Sequence, residues 1–388
     1  MIRSLEVKRL NNRFSDKFKF HEDLNNFTGP NGSCKTTLLK LIWYFISGNL
    51  QQIVLEIPFH TISIQTDMFN FSMERVKPNR VTIDYSFGKE EGESESIVIA
   101  AETGKIDQKD VDWVSALEKR IARTTKQSLF FPTFRRIEGG FSRVPTDTDN
   151  SAMRLFISTP EMLQSSMLRF SDEVSINGHK FIASISTEDL RELLTNKYAG
   201  IYEEITTRQA QVLEEISKEM QNNPDKENVS EIPQDPSVVL NAIQKVNEER
   251  EQLSKPFSVL SELSRKILRY DAIRVTGPVV RGETTDGITL GEGKDGITVG
   301  EAKDAISSDK LSAGEKQMLS FLCYNAFSDN TAIFIDEPEL SLHQDWQDIL
   351  LPLLLKQKTG NQFFVATHSE FIYDQFPDKE HILNLEGN

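Results

Sequence analysis

Gly29-Pro30-Asn31-Gly32-Ser33-Cys34-Lys35-Thr36-Thr37 is the part of this chain that says most about its fold. It fits the pattern G-x-x-x-x-G-K-[ST], a loop that leads from a strand into a helix, except at Cys34, where the pattern has glycine. An apolar helical pattern follows from Leu38 to Ile42, as the motif requires. The stretch therefore predicts an α/β fold with a phosphate-binding loop at a helix N-terminus.

The loop also predicts the roles of individual residues. Its backbone N–H groups would cradle phosphates, the Lys35 ammonium would reach the β- and γ-phosphates and serve catalysis, and the Thr36 hydroxyl would hold Mg²⁺. We therefore expect ATP and Mg²⁺ as cofactors. The residues predicted to bind ATP share this loop and the first helical turn: Asn31, Gly32, Ser33, Cys34, Lys35, Thr36 and Thr37.

Cys34 departs from the pattern. Glycine keeps side-chain atoms away from the phosphates where the helix begins, whereas a cysteine Sγ must point elsewhere or crowd the site. We expect a helical backbone at Cys34 without a positive φ, so that crowding and not backbone strain is its cost. ATP is then predicted to bind, with slower hydrolysis.

Composition limits the class of protein. The 388 residues favour two or three domains, or one domain with a large insertion. The formal net charge of −15 argues against a general electrostatic hold on nucleic acid or anionic membranes, although a local basic stripe remains compatible with it. Two cysteines, no apolar leader and no apolar run of about 18 residues predict a cytoplasmic protein that does not enter the membrane.

Short-range patterns predict the elements around the loop. Before the loop the chain has the pattern strand, turn, strand, and Gly48 is a plausible C-cap for the helix that follows. Two apolar runs, 81–87 and 97–100, are separated by an acidic turn and predict a β-hairpin.

A long helical pattern occupies the middle of the chain. Apolar residues recur at three- and four-residue steps over 187–270, with a polar, proline-containing break at 222–236. This predicts a helical hairpin, either a packing unit of a bundle or a short antiparallel coiled coil, in which Pro256 kinks or ends a segment. The predicted parts are an N-terminal lobe at 1–145, a helical insertion at 146–275 and a C-terminal lobe at 276–388.

A second motif, Leu311-Ser312-Ala313-Gly314-Glu315-Lys316-Gln317, opens a predicted helix. Ser312 is a good N-cap and Glu315 completes a capping-box pattern, so an ordinary helix start would explain the residues. In the functional interpretation, free N–H groups, the Ser312 hydroxyl and the small Gly314 allow a phosphate to approach closely. Ser312, Gly314 and Glu315 are therefore counted among the ATP-binding residues.

A third motif is Thr331-Ala332-Ile333-Phe334-Ile335-Asp336-Glu337-Pro338-Glu339. Its apolar residues predict a buried parallel strand, and its acids follow at the carboxyl end, where open α/β sheets bind ligands. Asp336 would hold Mg²⁺ through water, and Glu337 would act on the attacking water as general base.

A fourth motif ends in a histidine. Asn361–Ala366 predicts another buried strand, and His368 stands just beyond its carboxyl end. A lone histidine is more often structural. His368, however, follows a strand, an Asp-Glu pair, a helix and a second strand. We therefore favour a catalytic role, in which His368 hydrogen-bonds the γ-phosphate or orients the water at Glu337.

Together and in this order, the four motifs resemble the ABC-type ATPase head of the SMC, RecF and OLD group, an α/β head with a mixed sheet flanked by helices and an inserted helical hairpin. In that group two heads sandwich two ATP molecules, and each signature motif caps the nucleotide of the opposite head. The resemblance implies that Ser312 and Gly314 act in trans and that Ser341-Leu342-His343 lies between heads. The active protein would be a homodimer or a higher oligomer.

The segment Leu129–Gly140 narrows the resemblance. It contains Phe-Pro-Thr-Phe-Arg-Arg and is similar to a stretch of AAA-family, OLD-like ATPases of bacterial anti-phage systems, PARIS first, with Septu and retron-associated systems next. It falls where SMC-type heads carry a Q-loop but has no glutamine, and Arg135 or Arg136 would take its place. Three interpretations of these arginines stay open: coupling between nucleotide and lobes, contact with DNA, and a solvated surface.

The chain shows no nuclease motif. No acidic cluster follows His368, and six scattered histidines form no HNH or zinc pattern. The resemblance implies a sensor or scaffold ATPase of an anti-phage system that dimerises on ATP and controls a separate effector, such as a Toprim or HNH nuclease, after a phage protein trigger. The alternatives are a RecF-like DNA-repair ATPase that binds DNA, and a nucleotide-locked assembly module that does not hydrolyse ATP.

Overall fold

The computed structural model describes residues 1–88, 92–98, 106–125, 127–133, 171–183, 187–221, 236–268, 274–275, 288–289, 298–299, 306–307 and 312–384. The chain divides into two compact units, of which the first comprises Met1–Ser184 and Ser328–Asn388 and the second comprises Ile185–Phe327. The fold class is α/β, as the phosphate loop predicts. The three-part division of the sequence stays a prediction.

The first unit contains an antiparallel sheet of six strands. Buried and exposed residues alternate along its strands, so the sheet has one apolar face. The predicted hairpin is confirmed, because Val81 pairs with Ile97 in the last two strands. In spatial order the strands are β2 (Phe14–Lys19), β1 (Ile2–Leu10), β4 (Thr61–Thr66), β5 (Phe69–Lys77), β6 (Arg80–Phe87) and β7 (Glu93–Val98).

A second six-stranded sheet of the first unit is parallel throughout. Its central strands are buried along nearly their whole length, as expected for a parallel sheet covered on both faces. The resemblance implies one mixed sheet, whereas in the first unit the parallel and the antiparallel strand pairs lie in two separate sheets. The spatial order is β16 (Glu380–Ile382), β3 (Leu24–Thr28), β15 (Gln362–Ala366), β14 (Ala332–Asp336), β8 (Ser128–Phe131) and β9 (His179–Phe181).

Strand β3 leads into the phosphate loop, and the sequence pattern does not predict it. The pattern gives two strands before the loop, whereas the structure has three. The strand contains two fully buried asparagines, Asn25 and Asn26, and these polar residues interrupt the apolar run by which a buried strand is recognised. The Asn25 side-chain amide donates to the carbonyls of His21 and Phe363, and such bonds let a polar segment form a central strand.

Helix α1 follows the phosphate loop directly and is buried along most of its length. Its apolar side chains, Trp43 among them, belong to one buried cluster with residues of both sheets. Gly48 ends the helix at a φ of 74°, which confirms the predicted C-cap. In its described residues the helices of the first unit are α1 (Lys35–Ser47), α2 (Leu50–Glu56), α3 (Gln108–Thr124), α4 (described over 171–174), α8 (Gln344–Lys356) and α9 (Glu370–Tyr373), with a 3₁₀ turn at Pro377–Lys379.

The second unit confirms the helical hairpin, whose arms are α5 (Thr187–Gln221) and α6 (Pro236–Leu268). Pro256 does not end a segment, because α6 continues through it. The tip at 222–235 lies outside the described residues. Among the helices of the described ranges, none combines the length and hydropathy of a membrane span. The unit also holds α7 (Ala313–Ala326) and two ribbons: β10 (Arg274–Val275) with β11 (Ile288–Thr289), and β12 (Thr298–Val299) with β13 (Ile306–Ser307).

Candidate functional site

The phosphate loop uses backbone angles that favour glycine. Gly29 has a φ of 137° and Gly32 a φ of 79°. A Cβ on Gly29 would lie 2.4 Å from the carbonyl oxygen of Leu383, so only glycine fits there. Alternation of right- and left-handed residues turns successive N–H groups to one side, which makes a concave site for an anion. The predicted ATP-binding residues of the loop and the first turn of α1 lie here: Asn31, Gly32, Ser33, Cys34, Lys35, Thr36 and Thr37.

Cys34 is the N-cap of α1 and has a left-handed backbone, with φ 72° and ψ 16°. The expectation of a helical backbone is therefore wrong. The helix begins one residue later, so the chain still needs the positive φ that glycine supplies at this position, and a Cβ there costs about 1–2 kcal/mol. Its Sγ is buried, 3.5 Å from Asn11 Nδ2 and 3.9 Å from the Gly32 carbonyl oxygen, and crowding of a bound phosphate by this thiol stays a prediction.

The Lys35 side chain lies inside the loop. Its Nζ donates hydrogen bonds to the carbonyl oxygens of Gly29 at 2.8 Å and Pro30 at 3.1 Å. Burial lowers the pKa of this ammonium, and the carboxylates of Glu337 and Asp336 oppose the shift. The loop therefore holds a buried positive charge where a phosphate group would bind.

Asp336 ends β14 and lies beside the start of α1. Its Oδ1 accepts from the Thr36 hydroxyl at 3.0 Å, and its Oδ2 accepts from the Thr133 hydroxyl at 2.7 Å. Burial raises the pKa of the Asp336 carboxyl, and the two hydroxyl donors oppose that rise. The structure thus brings together the two predicted Mg²⁺ ligands and adds Thr133, which lies in the segment Leu129–Gly140 but has no role predicted from the sequence.

The residues present fit Mg²⁺. A hydroxyl and a carboxylate are hard oxygen donors, and Mg²⁺ is commonly bound through one or two carboxylates together with substrate phosphates. Across the ranges that the structure describes, no group of three or more His, Cys, Asp or Glu side chains could hold a metal alone. Thr36 and Asp336 would therefore share the ion with a bound nucleotide.

Glu337 follows β14 in a left-handed backbone with a φ of 49°. Its backbone N–H donates to the Ala366 carbonyl of the neighbouring strand at 2.8 Å, which helps to hold this conformation. A non-glycine residue in this region costs about 1–3 kcal/mol, and such outliers cluster at functional sites. The half-buried carboxylate therefore stands on a strained turn at the carboxyl edge of the parallel sheet.

His368 follows β15, and its side chain is exposed. Glu339 holds the backbone on which it stands, because Oε1 accepts from the His368 N–H at 2.6 Å and Oε2 accepts from the Thr367 hydroxyl at 2.8 Å. Sequence reasoning assigns no role to Glu339, although the unusual Asp-Glu-Pro-Glu run is a signal for one. The acidic turn after β14 (337–339) and the histidine loop after β15 (367–369) are thus joined by the Glu339 carboxylate.

The turn 338–343 connects β14 to α8 and carries the predicted inter-head segment. Ser341 has a φ of 71°, and His343 is the N-cap of α8. The Gln347 side chain donates to the Leu342 carbonyl at 2.9 Å and accepts from the Ser369 hydroxyl at 2.6 Å. This second bridge also ties the turn to the histidine loop.

Two residues of the β1–β2 turn lie against the phosphate loop, and sequence reasoning missed both. The Asn11 amide donates to the Thr37 hydroxyl at 3.1 Å. A guanidinium nitrogen of Arg13 lies 3.7 Å from where a Cβ on Gly32 would stand. A single arginine outside any motif does not indicate a binding role in one sequence. Only the fold shows that the Arg13 guanidinium lies beside the phosphate loop.

The predicted signature motif starts α7 in the second unit. Ser312 is its N-cap, Glu315 completes the capping box, and Gly314 is buried, which confirms the predicted helix start. Contact of these residues with ATP stays a prediction. Arg135 and Arg136 lie outside the described residues.

Comparisons with known proteins give a family and two kinds of relative. The family model described as "AAA domain, putative AbiEii toxin, Type IV TA system" matches residues 24–374. A segment is 40% identical over 68 residues to Endonuclease GajA of Bacillus cereus (strain VD045), and it spans 16% of this chain and 12% of that endonuclease.

Two solved structures are similar to the chain at 12% identity, each covering 96% of this chain and 91% of the other. They are the SmcHead bound to the C-winged helix domain of ScpA, with a TM-score of 0.41, and the Smc head domain with an extended coiled coil bound to the C-terminal domain of ScpA derived from Pyrococcus furiosus, with a TM-score of 0.35.

Proposed function

The chain belongs to the AAA-domain family whose model it matches, and from this premise we propose that it is the ATP-hydrolysing subunit of a bacterial anti-phage defence system. One observation carries the ATPase part. The phosphate loop, the acidic turn and the histidine loop follow three neighbouring parallel strands, β3, β14 and β15, at their carboxyl ends. Open parallel sheets bind ligands at this edge.

Each residue has a chemical role in this proposal. The loop N–H groups and the Lys35 ammonium bind phosphates, and Thr36 and Asp336 would hold Mg²⁺, which neutralises charge on the β- and γ-phosphates. Glu337 accepts a proton from the attacking water. His368 hydrogen-bonds the γ-phosphate or the water at Glu337 and so orients them.

Hydrolysis is proposed to need two copies of the chain. Ser312, Gly314 and Glu315 then act on the nucleotide held by the other copy, and the turn 338–343 lies at the interface. The resemblance to ABC-type heads supports this arrangement.

The effector is proposed to be a separate nuclease, such as a Toprim or HNH protein, released after a phage protein trigger in the cytoplasm. The family description, which names a toxin of a type IV toxin–antitoxin system, supports a defence role. The local identity to an endonuclease supports a connection with nucleic-acid cleavage.

Two measurements test the proposal. We expect the purified chain to hydrolyse ATP in the presence of Mg²⁺, and we expect His368→Ala to lower turnover with little change in nucleotide affinity. We also expect the product of an adjacent gene to co-purify with the chain. Absence of hydrolysis at every ATP concentration would favour a nucleotide-locked module, and a chain that recruits no neighbour would contradict the effector model.

A further inference from the structure

We propose that Thr133 is a positioning residue that orients the Asp336 carboxylate for Mg²⁺, an inference that rests on the proposed ATPase function. Thr133 lies two residues beyond β8, which pairs with β14 on the side opposite to β15. Its hydroxyl reaches Asp336 Oδ2 at 2.7 Å across 203 residues of sequence. The parallel register of β8 and β14 brings the two residues to the same edge of the sheet.

Two hydroxyls from different elements hold the two carboxylate oxygens of Asp336. Thr36, at the start of α1, binds Oδ1, and Thr133, after β8, binds Oδ2. Asp336 is 3% exposed, so water cannot readily replace a missing donor. Because Thr133 occupies Oδ2, the carboxylate group cannot rotate freely, and Oδ1 stays turned toward the Thr36 hydroxyl. The two oxygens that would hold Mg²⁺ therefore remain adjacent.

A neighbouring threonine shows what a purely structural hydroxyl does. Thr125, between α3 and β8, donates to the backbone carbonyls of Ile46 and Ile121 and touches no residue of the site. Thr133 instead donates to a carboxylate that would bind a metal. Groups that hydrogen-bond a metal ligand set its orientation, and their loss typically lowers metal affinity about 10- to 100-fold.

The test is a Mg²⁺ titration of nucleotide binding, read by the fluorescence of a non-hydrolysable ATP analogue. Thr133→Val keeps the shape of the side chain and removes the hydroxyl. We expect it to raise the Mg²⁺ concentration at half-maximal tight binding about 10- to 100-fold. Thr133→Ser restores the hydroxyl and should return the value to within a few-fold of wild type. Affinity for the analogue in excess EDTA should not change.

Thr125→Val is the matched control, since it also removes the hydroxyl of a half-buried threonine but leaves Asp336 untouched. Thermal unfolding identifies any variant that does not fold, and Thr133→Ala is the second variant for that case. A wild-type Mg²⁺ dependence in both Thr133→Val and Thr133→Ala would overturn the inference while leaving the proposed function intact. The same shift in Thr125→Val would also overturn it. A wild-type chain that binds no analogue would overturn the proposed function itself.

Discussion

Helices α1 and α7 both begin at motifs that predict a phosphate site, yet their N-termini differ. α1 follows Cys34, which makes no side-chain cap hydrogen bond. α7 follows Ser312. The Ser312 hydroxyl accepts from the Glu315 N–H at 3.3 Å, and the Ser312 backbone N–H donates to the Glu315 carboxylate at 2.7 Å. Side-chain caps satisfy N–H groups that an anion would otherwise bind.

From this difference we predict that the two helix ends would contribute unequally to nucleotide binding. The α1 end has no side-chain cap and has the buried Lys35 ammonium beside it. At the α7 end the N–H groups of Ser312 and Glu315 are already bonded within the capping box, so a phosphate that used these two groups would have to replace it. We therefore expect α1 to bind the nucleotide in a single copy of the chain, and α7 to contribute only when two copies meet.

Glu337→Gln should have the largest effect, because it stops hydrolysis while leaving both helix ends intact. Loss of a general base lowers turnover by a factor on the order of 10² to 10⁴. The α1 site should keep its nucleotide, so ATP-bound dimers should accumulate, as size-exclusion chromatography with light scattering would show. Adding Ser312→Ala should reduce these dimers while nucleotide stays bound. Unchanged turnover in Glu337→Gln would sink the general-base assignment.

Lys35→Ala should lower nucleotide affinity about 10- to 100-fold, because it removes a charged hydrogen-bond donor. Isothermal titration at a protein concentration that keeps the chain monomeric would measure this. Ser312→Ala is the matched variant at the other helix and should leave the monomer affinity unchanged. A comparable loss of affinity in both variants would contradict the unequal contribution of the two helix ends.

Acid should destabilise the unit that contains α1. His179 is fully buried, with its ring nitrogens bonded to Ser128 and to the Ala122 carbonyl, and burial lowers its pKa to about 4. Since the unfolded value is about 6.5, its stabilising contribution is complete above that pH and is lost as pH falls toward 4. We expect a loss of about 2 kcal/mol between about pH 7 and pH 5.

Tryptophan fluorescence during urea unfolding would measure this loss, because the three tryptophans, at positions 43, 113 and 346, all belong to the first unit. His179→Asn should flatten the pH dependence. The exposed His60 gives the matched control, and His60→Asn should keep the wild-type dependence. Equal slopes in all three proteins would argue against His179 as the source.

The smallest effect concerns Cys34, and its sign is decisive. Cys34→Gly and Cys34→Ala both remove the buried thiol, but only glycine relieves the positive φ. We expect the glycine variant to be more stable by about 1 kcal/mol. With a helical backbone, alanine would instead be the more stable variant by about 1 kcal/mol. Urea unfolding followed by tryptophan fluorescence distinguishes the two.

Much of the fold follows from local patterns. The β6–β7 hairpin, the helical hairpin, the Gly48 cap and the capping box of α7 were predictable because their defining interactions link residues close in sequence. Strand β3 was not predictable, because Asn25 and Asn26 look polar until the sheet around them supplies burial and, for Asn25, hydrogen-bond partners. The division of strands between two sheets also depends on pairings between distant segments.

Local spacing in the sequence is enough to identify the phosphate loop, the acidic turn and His368, because each lies within a short motif. How these motifs are held depends on contacts between distant parts of the folded chain. Cys34 has a left-handed backbone because the chain must turn before α1 begins. Thr133 meets Asp336 across 203 residues because β8 and β14 are neighbours. Glu339 meets the His368 backbone because β14 and β15 end at the same edge of one sheet. Strand order, which no local pattern records, makes these contacts.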